Sequence, residues 1–382
     1  MNTKQYNVVS LFDGISCGRV ALDRAGIAVS SYQAYEIDKY AKAVSRYNFP
    51  DIQQNGDVLT ADFSRFAGYD LVMGGSPCTF WSIAKANREI DKEGQGWKLF
   101  MRFVEAVRQI RPSYFLYENV ASMPQNIKQY ISDELGVEPN LINSALLSAQ
   151  HRKRLYWTNI SGITQPDDRG ILLRDILETG LAYQDKSHCI TATYDGAAFY
   201  NSMERRQRSM VAEPVALADK SQTILTSIHK ENALSMLKRG KTGLFTAREV
   251  EAALNTMTTT RTDSAIRTPV RVGQFAAGGQ GNRIYSVHGK TVTLMAHGGG
   301  RGGKVGLYKI DLPDGDYTIR KLTPIEAERC QTLPDNYTAL GIDDNGKAVK
   351  ISNTQRYKCV GNGWTVDVIA HILAASKIFG DD

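Results

Sequence analysis

Long apolar runs are missing from this 382-residue chain. A membrane-spanning helix needs about 20 consecutive apolar residues, and no stretch comes near that. The opening MNTKQYNVVS carries none of the charged-then-apolar patterning of a secretory leader. The reading is therefore a cytoplasmic protein. Cysteine is scarce. There are five, at 17, 78, 189, 330 and 359, and no two form a CxxC pair. An odd number without such pairs argues against a disulfide framework and against a thiolate zinc site. No metal is expected, and a lone reactive thiol stays open. Two nucleotide signatures are absent as well, the GxGxxG fingerprint and the Walker lysine motif.

What is present is ordinary in bulk and uneven in detail. A chain that is 42% hydrophobic and 23% charged has the makeup of a globular protein. Its length suits one large domain or two moderate ones. The net charge is +6, yet residues 151–310 alone carry +10 and the remainder −4. A basic middle within a slightly acidic frame suits a polyanionic partner. A solvated basic surface has the same composition, so charge alone does not choose.

One stretch organises the rest: residues 70–82, DLVMGGSPCTFWS. The apolar run Leu71-Val72-Met73 reads as a buried strand. It stops at Gly74-Gly75 and passes to Pro77, which fixes φ and cannot continue a ladder. Cys78 then opens a loop past the carboxyl end of a strand, the edge where open α/β sheets bind ligands. By itself, a free cysteine is more often a small buried apolar residue.

Around this stretch, strands and helices alternate at short intervals. Residues 6–11 read as a buried strand, followed by the turn Phe12-Asp13-Gly14-Ile15-Ser16-Cys17-Gly18 and a helix through Ala25. Residues 31–35 read as a strand ending at Glu36, and 38–47 as a helix. A short extended piece closes on Gly56-Asp57-Val58. Residues 97–110 form an amphipathic helix halted by Arg111-Pro112. Residues 114–117 form a strand ending in Glu118-Asn119-Val120. Helix 126–135 follows, then extended pieces at 141–147 and 155–160. Such alternation marks a doubly wound α/β sheet. Asp13, Glu36, Asp57, Cys78 and Glu118 all follow predicted strand ends, and the carboxyl-edge rule would line them along one crevice.

Gln150-His151-Arg152-Lys153-Arg154 precedes the last of these pieces. Alternation in an extended chain puts Gln150, Arg152 and Arg154 on one face, where two guanidiniums and an amide suit a phosphate or a polar base edge. From about 161 to 318 glycine, threonine and arginine rise and helical periodicity weakens. Three Thr-rich segments, 186–192, 220–226 and 290–296, look loosely alike and read as short strands. Glycine clusters at 277–281 and 298–304, the second holding Arg301 and Lys304, suit close backbone approach to phosphates. Residues 321–333 give a helix start, with Thr323 as cap, Pro324 at the first helical position and Glu326 completing a capping box. A final apolar helix spans 367–378.

Taken together and in order, these segments resemble the cytosine-5 DNA methyltransferases, with GGSPC and ENV resembling the de novo branch. The likeness covers nearly all of 6–160 and 320–378. It rests on Phe12-x-Gly14, Glu36, Asp57-Val58, Pro77-Cys78, Glu118-Asn119-Val120, Gln150-x-Arg152-x-Arg154, the 320–333 segment and Gly361-Asn362. Two details depart from the family pattern: the first turn reads FDGISCG, and His151 and Lys153 fill QxRxR.

The resemblance implies a Rossmann-like doubly wound mixed sheet of the class I methyltransferase type, with a smaller strand-rich target-recognition domain. It implies a catalytic domain at 1–160, target recognition at 161–318, and a return segment at 319–382 completing the first. It implies double-stranded DNA as partner, S-adenosylmethionine as cofactor, and a monomer. By the same resemblance, Cys78 adds to carbon 6 of a flipped cytosine, Glu118 bonds the ring, and Arg152 and Arg154 hold the base oxygen. Phe12, Asp13, Gly14, Ile15, Glu36, Ile37, Asp57, Val58, Pro77, Asn362 and Trp364 would surround the cofactor. Ser82 and Gln150 would meet DNA; Arg301 and Lys304, in a region 161–318 that the likeness does not reach, are expected to do so from the glycine cluster that holds them.

Overall fold

The computed structural model describes residues 4–83, 87–182, 184–196, 208–214 and 320–375, and the backbone of short strands between 245 and 319. The chain divides into two compact units. One comprises Met1–Leu172, Cys189–Asp195 and Pro324–Asp382; the other comprises Leu173–His188 and Gly196–Thr323.

A seven-stranded sheet organises the first unit. Its strands are β1 (Tyr6–Leu11), β2 (Val29–Tyr35), β3 (Gln53–Gln54), β4 (Leu71–Gly74), β5 (Tyr114–Val120), β6 (Asn140–Asn143) and β7 (Lys153–Thr158). They lie in the order β3-β2-β1-β4-β5-β7-β6. The first five are parallel, and β7 runs antiparallel to both β5 and β6. The chain winds outward from β1 to β3, then returns to place β4 on the other side of β1. That reversal is a topological switch point, the place where doubly wound sheets open a ligand crevice.

The apolar runs follow from burial on both faces. Val8, Leu71, Met73 and Leu116 point into one core, with α1 (Cys17–Arg24) and α2 (Lys39–Asn48) over it. Val9, Val72, Phe115 and Tyr117 point into the other, under α3 (Gln95–Ile110) and α4 (Gln125–Leu135). Local signals set the helix ends. The Asp38 carboxylate accepts from the N–H groups of Tyr40 (2.9 Å) and Ala41 (3.2 Å) at the start of α2, a cap worth about 1 kcal/mol. Gly136, at φ 69°, ends α4 in the left-handed conformation that glycine adopts freely.

The return segment supplies α5 (Pro324–Cys330), a hairpin of Leu340–Ile342 with Ala348–Lys350, α6 (Asn353–Asn362) and α7 (Val366–Ala374). It is tied to the start of the chain. Tyr337 Oη donates to Ile15 O at 2.7 Å, and Arg24 pairs with Asp367 at 2.5 Å as α1 packs on α7. The sequence reading did not anticipate α6 or the hairpin. α6 is polar along most of its length (NTQRYKCVGN) and carries no clear apolar stripe.

The second unit is strand-rich, as expected. A four-stranded sheet joins Phe245–Thr246, Asp316–Lys321, Met210–Pro214 and Leu181–Ala182, and a three-stranded one joins Arg271–Gln274, Arg283–Ser286 and Leu307–Lys309. Residues 186–192 are mostly irregular backbone, not the expected strand. The similar segments at 220–226 and 290–296 lie outside the described residues, as do both glycine clusters with Arg301 and Lys304. Among the described residues no helix is long and apolar enough to cross a membrane, and no cluster of His, Cys, Asp and Glu could hold a metal.

Candidate active site

The thiol of Cys78 is held by a loop bolted to the neighbouring strand. Past Gly74 the chain leaves β4, and Cys78 begins a single 3-10 turn, Cys78–Phe80, whose carbonyl accepts from the N–H groups of Trp81 and Ser82 (3.2 and 2.9 Å). Ser76 Oγ bonds Tyr117 Oη at 2.6 Å. Asn119 Nδ2 donates to Ser76 O at 3.2 Å. Both anchors are buried on β5, so β5 fixes the start of the loop that carries the thiol. Burial pushes the Cys78 thiol up from its ordinary value; Arg154 and Arg152 draw it down, and Glu118 between them in strength pushes it up.

Glu118 does not follow its strand, as the sequence reading had it. It lies within β5, opposite Tyr156 of β7. The pairing extends through Val120 because an antiparallel partner continues the ladder that a parallel neighbour would have left. The carboxylate is nearly buried and doubly held: Oε1 pairs with Arg154 Nε at 2.8 Å and Oε2 accepts from Trp364 Nε1 at 3.0 Å. Gly75 makes the room. A Cβ there would sit 2.8 Å from Glu118 Oε2 and 3.1 Å from Trp364 Nε1.

Gln150, Arg152 and Arg154 do share one face; Gln150 and Arg152 are buried and Arg154 is partly exposed. Gln150 is fully buried. Its amide donates to Cys330 O (2.5 Å) and Gln331 Oε1 (2.9 Å) and accepts from Ile190 N (3.1 Å). Expected at DNA, it is instead a tie between three segments. Arg152 donates to Ile190 O, Gly361 O and Gly363 O at 3.0, 3.3 and 2.9 Å. Arg154 is shared between Glu118 and the sulfur of Cys189, 3.9 Å from Nη2. Cys189 was not singled out by sequence reasoning. It lies in an irregular stretch far from QxRxR along the chain, and no motif marks it.

The other candidates lie past the ends of several elements: Phe12 to Ile15 past β1, Glu36 and Ile37 past β2, Asp57 and Val58 past β3, Pro77 past β4, and Asn362 at the end of α6. Phe12 adopts φ 58° and Gly14 φ 61°; for a bulky residue the left-handed region is strained. Gly14 N donates to Glu36 Oε2 at 2.9 Å, and Oε1 accepts from Ile37 N and Asp38 N, both at 2.8 Å. Burial raises the Glu36 carboxyl, and these three N–H groups oppose it. Asp13 is engaged by Ser16 Oγ (2.5 Å) and Tyr32 Oη (2.7 Å), which makes it the brace of the turn; burial raises its pKa against those bonds. Ile15 and Val58 are buried, whereas Ile37, Asp57, Pro77 and Asn362 are exposed. Asp57 Oδ1 caps its 3-10 turn through Leu59 N at 2.9 Å. Ser82 is half-buried beside the Cys78 turn.

These residues fit a ligand with hydroxyl groups and an aromatic ring. No atom lies within 4 Å of where a Cβ on Gly14 would stand, so the turn has an open face. It is flanked by a partly exposed carboxylate and by Phe12.

A family model for the C-5 cytosine-specific DNA methylase matches residues 6–377. The chain belongs to this family. Among its relatives, the type II methyltransferase M.HhaI of Haemophilus parahaemolyticus is 27% identical over 364 residues, covering 95% of this chain and 92% of that one. The orphan methyltransferase M.Rho11sI of Bacillus phage rho11s is 26% identical over 327 residues; the match takes in 80% of this chain and 61% of the phage protein. Solved structures agree on the fold. A methyltransferase of Entamoeba histolytica, EhMeth, aligns with a TM-score of 0.57 at 12% identity, covering 99% of this chain and all of that one. A DNMT2 variant of Spodoptera frugiperda aligns at 0.54 and 15%, with the same coverage. Membership bears out the resemblance carried by the motifs, and the mixed doubly wound sheet is the class I methyltransferase arrangement.

Proposed function

We propose that this C-5 cytosine methylase family member methylates double-stranded DNA, moving a methyl group to carbon 5 of a flipped-out cytosine by way of a covalent bond from Cys78. The observation that carries the reading is the Cys78 loop anchored to β5, with Glu118 and Arg154 paired on the adjoining strands.

Each residue type suits its task. Carbon 5 of cytosine is a poor nucleophile. Addition of the Cys78 thiolate to carbon 6 turns the ring into an enamine, and cysteine suits that step because its thiolate is accessible and intrinsically nucleophilic. Charge then develops at the ring nitrogen and exocyclic amine. Glu118 bonds them in a site where preorganised groups act strongly. Arg154, already on Glu118, reaches the base oxygen. Arg152 holds the surrounding loops, since its donors are committed to backbone carbonyls and to the Cys189 sulfur. After transfer, loss of the carbon-5 proton expels the Cys78 thiolate.

S-adenosylmethionine supplies the electrophilic methyl group when bound. Phe12 would stack on its ring, Glu36 bond its ribose, Asp57 take its adenine amine and Pro77 wall it; Gly14, Ile15, Ile37, Val58, Asn362 and Trp364 would complete the pocket. Extracting the target base from the duplex costs a few kcal/mol, which phosphate contacts from Arg301, Lys304 and neighbouring basic residues would offset. Ser82 would approach the DNA from the catalytic loop. The type II name of the bacterial relative is in keeping with a restriction–modification setting, and the protein is read as a cytoplasmic monomer.

DNA carrying 5-fluorocytosine tests the mechanism, because fluorine does not leave as a proton does. With S-adenosylmethionine present, intact-mass analysis is expected to show protein plus one DNA strand, trapped at Cys78. Cys78→Ser is expected to lose both adduct and methylation while still binding cofactor. Full activity in Cys78→Ser would overturn the reading.

A further inference from the structure

Five cysteines are present, and their surroundings differ. Burial pushes Cys17 and Cys359 up to about 12. Cys189 sits between two guanidiniums. Its Sγ lies 3.2 Å from Arg152 Nη1 and 3.9 Å from Arg154 Nη2, and 3.6 Å from Ile190 O. The sulfur therefore has two roles to choose between. As a thiol it donates to the carbonyl; as a thiolate it accepts from both arginines.

The segment that delivers it is built into the first unit. Ile190 and Tyr194 are fully buried. The Tyr194 ring packs 5.4 Å from Tyr357, and Thr354 Oγ1 donates to Asp195 Oδ2 at 2.6 Å. Gly361 gives it passage, for a Cβ there would stand 2.2 Å from the Thr191 carbonyl carbon. Charge makes the placement purposeful. Two cations, Arg152 and Arg154, face one carboxylate, Glu118; among the described residues Cys78 from its loop, Tyr156 of β7 and Cys17 of α1 also act on them. A second anion on the far side of Arg154 would balance the cluster and keep that guanidinium from closing wholly on Glu118.

We propose that Cys189 is a positioning residue for methyl transfer: its thiolate holds Arg152 and divides Arg154 with Glu118, so that N–H groups of Arg154 not held by Glu118, Cys189 or the Lys153 carbonyl meet the base. Burial opposes ionisation of Cys189, and the two arginines outweigh it, holding the thiol below its ordinary value. The inference rests on the Cys78–Glu118–Arg154 reading of the site.

Single-turnover methyl transfer measured against pH tests it, on the full-length protein with S-adenosylmethionine and a methylatable duplex. The wild type needs two thiolates, so its log rate is expected to fall with slope two below the Cys189 transition and with slope one between that transition and the Cys78 one. Cys189→Ser is expected to show slope one throughout and a rate lower by about tenfold, the equivalent of one hydrogen bond to a charged group. Cys189→Asp restores the rate at neutral pH and keeps slope one. Cofactor affinity stays unchanged in both. Iodoacetamide labelling read peptide by peptide is expected to modify Cys189 at a lower pH than Cys78. A Cys189→Ser enzyme with the wild-type rate and slope overturns the proposal, as does labelling of Cys189 only at or above the pH of Cys78. If Cys78→Ser were active, the site reading itself would fail; an inactive Cys78→Ser beside an unaltered Cys189→Ser would sink this inference alone.

Discussion

Trp364 Nε1 donates to Glu118 Oε2 at 3.0 Å across 246 residues of chain. The bond makes the return segment part of the site rather than a cover for it. One carboxylate oxygen is aimed by the indole and the other by Arg154. Trp364→Phe keeps an aromatic ring, though a smaller one, and deletes the donor. A hydrogen bond to a charged group is worth about 1.5–3 kcal/mol, so kcat is expected to fall roughly 10-fold or more with little change in melting temperature. Gly75→Ala attacks the same arrangement from the other side, with its Cβ 2.8 Å from the carboxylate. It is expected to lower kcat and also to destabilise, by the roughly 1–3 kcal/mol that overpacking costs. Steady-state kinetics with a melting curve for each variant separates the two. A fully active Trp364→Phe enzyme would show that Glu118 needs no aiming by the indole.

Asn119 offers a stability test of the Cys78 loop. Its amide is buried and donates to Ser76 O and Tyr117 Oη at 3.2 Å each, and its Oδ1 accepts from Val120 N at 2.8 Å. Asn119→Ala would leave buried polar groups unpaired, at a cost of about 1–3 kcal/mol. Urea unfolding is expected to show that loss, and adduct formation on 5-fluorocytosine DNA should slow in parallel as the Cys78 turn loosens. An unchanged unfolding midpoint would mean that Ser76 and Tyr117 hold the loop unaided.

Legibility in the sequence followed the physics of burial. β1 and β4 were readable because strands buried on both faces give unbroken apolar runs, and α2 to α4 because the Asp38 cap and the stops at Arg111 and Gly136 mark their ends. Edges of the pattern were less so. Glu118 was read past its strand because polar residues normally end one, yet the antiparallel β7 pairs through Val120. The extended piece at 141–147 ends early, since Asn143 Oδ1 accepts from Ala145 N at 3.2 Å and turns the chain. In the site, Cys78, Glu118 and Arg154 were visible as motif residues. Cys189 and the Trp364–Glu118 bond were not, because each depends on segments distant in sequence folding onto one another.

The Asp38–Lys358 pair, 2.5 Å apart, gives a pH signature in stability. Burial pushes the Asp38 carboxyl up, but Lys358 and the N–H groups of Ala41 and Tyr40 outweigh it and hold the carboxyl below its ordinary 3.8. The bond to Asp38 raises Lys358 above its ordinary 10.5. A depressed carboxyl stabilises above its unfolded value and loses that contribution as pH falls through the folded one. A raised lysine stabilises below its unfolded value and loses that contribution as pH rises through the folded one. The pair therefore works between those limits. Both side chains are partly exposed, so solvent keeps its worth to about 1 kcal/mol or less. Lys358→Met is expected to be less stable than wild type at neutral pH by that small amount, with the gap closing at either extreme. A gap that stayed constant with pH would assign the loss to packing.

Cys78 itself gives the last test, because its environment pulls in both directions. Burial is the strongest influence and raises the thiol; Arg154 lowers it, Glu118 raises it and Arg152 lowers it. The rate of alkylation follows the thiolate fraction. In the absence of DNA, iodoacetamide labelling of Cys78 is therefore expected to keep accelerating past pH 9.0, the ordinary thiol value, where an unperturbed cysteine would begin to level off. Neighbouring charges then predict opposite signs. Arg154→Gln removes the cation that favours the thiolate, so labelling at fixed pH should slow by several-fold. Glu118→Gln removes the anion that opposes it, and labelling should quicken. Since one pKa unit is a factor of ten in thiolate well below the transition, shifts of half a unit are measurable. If the two variants moved the rate in the same direction, charge would not be governing the thiol, and its setting would have to be explained by access alone.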